Sequence, residues 1–254
     1  MYKVTLFYFC FFTSSMFSPF CYSADISLLA DGSFTGEIEL IGENQLGGLD
    51  GEIVSKALKA KNITFDLEWR PWARAYKEAL DNKNKKTFII PLTRIVEREN
   101  LFVWCSKIYD AHTVFISMKG AAKVNTFKEA QNLRIGVIAG SSYLAILKRP
   151  ENGLLEDNIE TVAFDSRNFS KLIGKRIDAW FTLDIVGITT IKNSIDGKIL
   201  TEKSFQIGKA IAKQEKYIGT TIDTPKELIN KVHDAIESFK KTSEYTKIIS
   251  RIPN

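Results

Sequence analysis

Cysteine is scarce in this chain. Of its three cysteines, Cys10 and Cys21 fall within the first two dozen residues, so a body starting after residue 24 keeps Cys105 alone. No internal disulfide is then possible, and the fold must rest on an apolar core. Cys105 itself, beside Trp104 at the end of an apolar run, reads as a buried and inert thiol. Histidine is scarcer still, with two residues, His112 and His233. There is no Cys/His cluster with metal-ligand spacing, no G-x-S-x-G nucleophile motif and no glycine-rich phosphate loop. The reading therefore carries no metal, no cofactor and no catalytic residue. Internal repeats and low-complexity tracts are missing too. Lysines spread along predicted helices, apart from Lys83-Asn84-Lys85-Lys86 and Lys240-Lys241, and the net charge of +5 drops by one once Lys3 is gone. A nucleic-acid surface would need a basic stripe interleaved with aromatics, and none exists.

No apolar run is long enough for a comfortable membrane span. The longest, Val4-Thr5-Leu6-Phe7-Tyr8-Phe9-Cys10-Phe11-Phe12, follows Lys3 and is broken by Thr13-Ser14-Ser15. Small residues follow at Ser23-Ala24. A short positive end, an apolar run and small residues make a secretory signal peptide over residues 1–24, with an uncleaved anchor as the alternative. The remainder is expected in the periplasm. At 44% apolar and 26% charged residues the full sequence has the composition of a soluble globular protein, with one large core or two smaller ones.

From Ile26 the pattern alternates strand and helix. Ile26-Ser27-Leu28-Leu29 reads as a strand, Asp50 as the N-cap of a helix through Leu58, and Ile63 to Trp69 as a half-buried strand. Pro71-Trp72 opens a helix that Asp81-Asn82 closes, with Tyr76 on its inner face. A strand over Thr113–Ser117 runs towards Gly120. Beyond it, Thr126 caps a short helix, Arg134–Ile138 is a strand leading to Gly140-Ser141-Ser142, and Glu160–Phe164 and Ile177–Thr182 are further strands. Ser166 and Asp184 stand at the starts of the helices between and after them. Thr224-Pro225-Lys226-Glu227 carries a capping threonine, a proline at the first helical position and a Glu three residues after the cap. Ser243 begins a last helix. Both halves read as α/β.

The densest chemistry lies in Thr87 to Trp104. An apolar strand, Thr87-Phe88-Ile89-Ile90, breaks at Pro91. A polar loop then carries Thr93, Arg94, Glu97 and Arg98. A hydroxyl and two guanidiniums past the carboxyl end of a strand are placed to hold an anion, since ligands in open α/β sheets bind at that end. The rigid fork of arginine suits a carboxylate or phosphate.

Four segments, in this order, carry a resemblance: Gly48-Leu49-Asp50-Gly51-Glu52-Ile53, Thr93-Arg94-Ile95-Val96-Glu97-Arg98, Arg134-Ile135-Gly136-Val137 leading to Gly140-Ser141-Ser142, and Gly174-Lys175-Arg176-Ile177-Asp178-Ala179. With them the chain resembles family 3 of the periplasmic substrate-binding proteins, which have the type II fold and serve amino-acid ABC importers. The resemblance implies two α/β lobes joined by a hinge of two crossing strands. Lobe 1 would span 25–115 and be completed by 216–254, and lobe 2 would span 119–210. It implies that Arg98 and Thr93 receive a ligand carboxylate, with Ser142 and a helix start closing over it. Asp31, Phe34 and Trp72 would line the cleft, core packing being the alternative for both aromatics. The family's acidic partner of the ligand ammonium falls at Leu183, one residue before Asp184. Either Asp184 reaches the cleft by a slip, or it is simply a helix N-cap. Trp69-Arg70-Pro71-Trp72-Ala73-Arg74 marks a divergent member.

The implied function is capture of a small carboxylate-bearing ligand by a monomer that hands it to the membrane permease of an ABC transporter. Delivery to a membrane sensor is the alternative. A dehydratase-like enzyme shares the fold, with Asp31, Glu97 or Asp184 as the available acids, and is the weaker rival.

Overall fold

The computed structural model describes residues 23–32, 34–42, 45–195 and 200–252. The predicted leader lies almost wholly outside the described residues. The first part runs β1 (Ile26–Ala30), a hairpin of β2 (Glu39–Gly42) and β3 (Gln45–Gly47), α1 (Gly48–Ala60), β4 (Phe65–Trp69), α2 (Trp72–Asp81) and β5 (Thr87–Thr93). Next comes β6 (Val103–Met118). It is followed by α3 (Phe127–Ala130), β7 (Ile135–Ile138), α4 (Ser142–Leu147), β8 (Ile159–Val162), α5 (Asp165–Ile173), β9 (Ala179–Leu183) and α6 (Asp184–Ser194). The chain finishes with β10 (Phe205–Ile207), β11 (Ala212–Thr220), α7 (Lys226–Phe239) and α8 (Ser243–Ile249).

Eight strands lie side by side in the order β4-β1-β5-β11-β6-β9-β7-β8, and β10 pairs with β6. The 16-residue β6 holds the two halves together. Its first part pairs antiparallel with β11 from Val103 to Thr113, and its last part pairs with β9 and β10. The parallel set β4-β1-β5 lies on one side of the β11/β6 pair, and β9-β7-β8 on the other. This is a two-lobed α/β fold whose lobes share two crossing strands. α7 and α8 return to pack against α1 and β6 of the first lobe, burying Val232, Ala235, Ile236 and Ile248.

Several local expectations are corrected. β5 does not stop at Pro91 but continues through it, across a cis Ile90–Pro91 peptide, to Thr93. The missing N–H does no harm, because β1 pairs only as far as Ile89, and β11 passes from Ile89 to Leu92 over a register shift. Asp50 is not an N-cap: Gly47 is, and Asp50 lies buried in the first turn of α1. Ser166 lies inside α5, with Phe164 at the cap. Thr224 does not cap α7 either; its hydroxyl is taken by Asn82 Nδ2 at 2.8 Å and by the Thr220 hydroxyl. The Thr126 cap and the close of α2 at Asn82, in a left-handed conformation, are found as expected.

The start of α1 is set by one glycine. Gly48 has φ +76, and a Cβ there would lie 2.5 Å from Glu37 O. Leu49 N and Asp50 N donate to Gly36 O and Glu37 O, both at 2.9 Å, fastening the 34–38 turn to the helix. Gly48→Ala is expected to cost about 2 kcal/mol through backbone strain and overpacking, seen as a lower melting temperature.

Candidate functional site

Thr93 ends β5, and a short 3₁₀ turn from Val96 to Arg98 brings the arginine back beneath it. Arg98 is 6% exposed. Its Nη1 donates to Thr93 O at 3.3 Å and its Nη2 to Gly140 O at 3.1 Å. The guanidinium carbon sits 4.9 Å from the Tyr76 ring centre and 5.6 Å from that of Trp72, within cation–π range. Among the described residues no carboxylate forms an ion pair with it. Burial lowers its pKa, a pull that the Tyr76 hydroxyl and Glu97 oppose. Two backbone carbonyls and two ring faces leave the fork with N–H groups to spare.

Trp72 opens α2 directly above. Its backbone N–H donates to Asp31 Oδ2 at 2.7 Å, so Asp31, just past β1, anchors the helix start. Its indole Nε1 donates to Gly140 O at 3.0 Å, the same carbonyl that Arg98 uses. Phe34 meets the Trp72 ring edge-on at 5.4 Å. Trp72 and Arg98 from the first lobe thus both reach the βα turn after β7 in the second. Ser142 begins α4 beyond that turn, and its hydroxyl donates to Gln214 Oε1 on β11 at 2.8 Å. Ser141, not Ser142, is the cap, accepting from Leu144 N at 3.1 Å. A cavity of about 460 Å³ opens beside Gln214, between Arg94 and Arg149.

Asp31, Phe34, Trp72, Thr93 and Arg98 are therefore linked in one buried group by shared contacts, and Ser142, buried two residues beyond Gly140, is bonded to Gln214 instead. Asp184 is not brought to it. It is the first residue of α6, and its Oδ1 accepts from its own helix at Ile185 N, 2.7 Å, and from His112 N, 3.5 Å. With His112 it lines a different cavity of about 870 Å³, walled by Ile188, Ile207, Ile249 and Ile252. Burial raises its pKa against those two backbone donors.

Four residues that sequence reasoning did not select lie beside the group. Lys216 on β11, 2% exposed, reaches Thr93 Oγ1 at 3.2 Å and Glu37 Oε1 at 2.9 Å. The Tyr109 hydroxyl on β6 lies 2.6 Å from Glu37 Oε1 and 2.7 Å from Asp50 Oδ2. Gln214 holds Ser142, as above. Tyr76 was legible as an inward residue of α2; Lys216, Gln214, Tyr109 and Glu37 carried no signal, because nothing in sequence tells which polar residues of a strand point inward. Among the described residues no three His, Cys, Asp or Glu side chains converge as a metal site would.

No protein-family model and no curated protein matches the sequence. Solved structures do. An ancestral arginine-binding protein bound to arginine superposes with a TM-score of 0.74 at 18% identity, over 90% of this chain and 98% of that one. A substrate-binding protein of an ABC uptake transporter from Streptococcus pneumoniae, with bound histidine, gives 0.75 at 16% over 89% and 91%. A histidine kinase sensor domain with similarity to periplasmic binding proteins gives 0.77 at 10% over 89% and 94%. The chain has the fold of the type II periplasmic binding proteins.

Proposed function

We propose that this protein captures a small carboxylate-bearing ligand between its lobes and presents it to the permease of an ABC importer, outside the cytoplasm and without catalysis. The observation that carries the reading is Arg98: a buried guanidinium at the lobe junction, paired with carbonyls rather than with an acid. A buried charge without a counter-ion is costly, and an incoming carboxylate supplies the counter-ion together with two parallel hydrogen bonds. Thr93 stands ready as a hydroxyl donor from the first lobe, and Ser142 becomes one from the second only when its hydroxyl turns away from Gln214 Oε1. Trp72 and Phe34 form the apolar wall, and Asp31 fixes that wall through the start of α2. Asp184 receives no ammonium-binding role. The reading includes removal of residues 1–24, lobes bounded at 25–115 with 216–254 and at 119–210, closure about β6 and β11 that shifts an open-closed equilibrium, and a monomeric state.

Delivery to a membrane sensor is the second reading, favoured by the likeness to a kinase sensor domain. Among the described residues no helix is long and apolar enough to cross a membrane.

The test is a thermal-shift screen of residues 25–254 against amino acids, small organic acids and short peptides. A ligand that binds only the folded state raises the melting temperature by mass action, about 2.7 kcal/mol at a hundred times its dissociation constant. The expected result is a shift with carboxylates that is lost when the same compounds are offered as amides. A ligand set with no dependence on the carboxylate would refute the reading.

A further inference from the structure

The Tyr109 hydroxyl has one hydrogen, yet it contacts carboxylate oxygens of both Glu37 and Asp50 at 2.6 and 2.7 Å. It can donate to one of them only; the other must donate to it or stand in repulsive contact. One of the two carboxyls must then carry a proton. Lys216 Nζ sits 2.9 Å from Glu37 Oε1, marking Glu37 as the ionised partner. Asp50 is fully buried and meets no cation, whereas Glu37 does; one oxygen of each, Asp50 Oδ1 and Glu37 Oε2, has no hydrogen-bond partner among the described residues. Burial and then the Glu37 charge push its acidity well above the ordinary aspartate value, against Lys216 and Tyr109. The chain of donors therefore runs from the Asp50 carboxyl to the Tyr109 hydroxyl to Glu37, with Lys216 closing on Glu37 from the other side.

Lys216 also bonds Thr93 Oγ1. An ammonium has donors only, so Thr93 must accept from it, and the threonine hydrogen is left free to point elsewhere. Thr93 is thereby fixed as a donor at the mouth of the Arg98 group. The geometry points to Lys216 as a positioning residue of the acid-binding site, held in place by a Glu37–Tyr109–Asp50 network that retains one proton. This rests on the carboxylate reading above for its purpose, but not for the proton. The other charged or titratable groups around the network are Asp184, which feels Lys216, and Tyr143, which feels Glu37. Neither makes a hydrogen bond to it.

Two measurements separate the parts. In the ligand-free protein, the Asp50 carboxyl followed by carbon NMR is expected to remain a protonated acid at about pH 5, where an ordinary aspartate is ionised. Asp50→Asn, a neutral isostere, should fold. A carboxyl whose pKa is raised by folding stabilises most below its unfolded value and loses that contribution as pH rises through the folded value. The melting temperature of the wild type should therefore fall relative to Asp50→Asn as pH rises from about 4. An Asp50 that titrates in the ordinary range overturns the proton.

For Lys216 the probe is acetate, the bare carboxylate, titrated against the Arg98 side-chain resonances. Glu37→Gln with Lys216→Met removes both charges together, so no unpaired ion is left buried. The double variant should bind acetate about tenfold more weakly, the scale of one hydrogen bond to a charged group. Adding Thr93→Val to it should cost nothing more, although Thr93→Val alone weakens the wild type by the same factor. Wild-type affinity in the double variant overturns the positioning role. Acetate that leaves Arg98 unperturbed in the wild type defeats the carboxylate reading and the role of Lys216 with it, while the Asp50 titration still decides the proton.

Discussion

Arg98→Ala is expected to lose carboxylate ligands by about thirtyfold or more while the protein stays folded. Truncating one partner of a buried, hydrogen-bonded charge pair costs about 2–5 kcal/mol, much of it from stranding the other charge. Here the stranded group is the ligand's own carboxylate. Stability should move the other way. Arg98 is a buried cation without an acidic partner among the described residues, so its removal relieves desolvation, at the expense of the bonds to Thr93 O and Gly140 O. Arg98→Met, which keeps the volume beside Trp72 and Tyr76, should melt no lower than the unliganded wild type. Calorimetric titration and a melting curve read both effects. Retained affinity in either variant removes the central claim; a large drop in melting temperature for Arg98→Met assigns the arginine to the fold instead.

The largest purely structural effect is expected at Asp165, the first residue of α5. Its carboxylate is fully buried and accepts from Trp180 Nε1 at 2.9 Å and Asn168 Nδ2 at 3.1 Å, with the Thr182 and Tyr143 hydroxyls at 3.4 and 3.5 Å. It joins α5 to β9 and α4. Asp165→Ala leaves the Trp180 and Asn168 donors buried without an acceptor, at about 1–3 kcal/mol each. The second lobe should lose roughly 4 kcal/mol, or about 10 °C in melting temperature for a chain of this size. The pH dependence has a definite sign. Burial raises the Asp165 pKa to about 6, the four donors pulling it back. Protonation is then easier in the folded state, so this residue's contribution is complete below about pH 4 and declines as pH rises through about 6. Asp165→Asn should lack that decline. A variant that melts like the wild type across this range would show that the donors find water instead.

Sequence patterning picked out Thr93 and Arg98 behind an apolar strand, and the family resemblance added Trp72 and Ser142; in the structure they lie at the end of β5, just beyond it, and at the starts of α2 and α4. Patterning failed along the two crossing strands. In β6 the residues Cys105 to His112 show no strand pattern, because one face packs Ile108, Tyr109 and Ala111 against changing neighbours. The other face is an ion-pair surface: Lys107 bonds Asp110 at 2.8 Å and Glu215 at 3.1 Å, and Lys213 bonds Asp110 at 3.3 Å. In β11 the inward residues are Gln214 and Lys216 and the outward ones Lys213 and Glu215, so both faces are polar and no alternation shows. The inward pair is polar because it meets Ser142 and Thr93, which only the pairing of β11 with β5 and β6 reveals. For Asp184 the sequence left a ligand group and a helix start both open; in the structure it is the first residue of α6, its carboxylate accepting from Ile185 N and His112 N. Cys105 is buried as expected, and burial pushes its thiol up to about 12.

The place of β11 bears on how the chain must be completed during synthesis. It lies between β5 and β6, strands made more than a hundred residues earlier, and it precedes only α7 and α8. Everything from β7 to β9 can pair locally as soon as it emerges. The first lobe cannot: until residue 220 is released, β5 and the first half of β6 face each other across an empty lane, with two bare strand edges. Such edges are templates for mispairing. The half of the protein that carries Arg98 is translated first and finished last, and a nascent chain halted anywhere before β11 would leave the edges of β5 and β6 open.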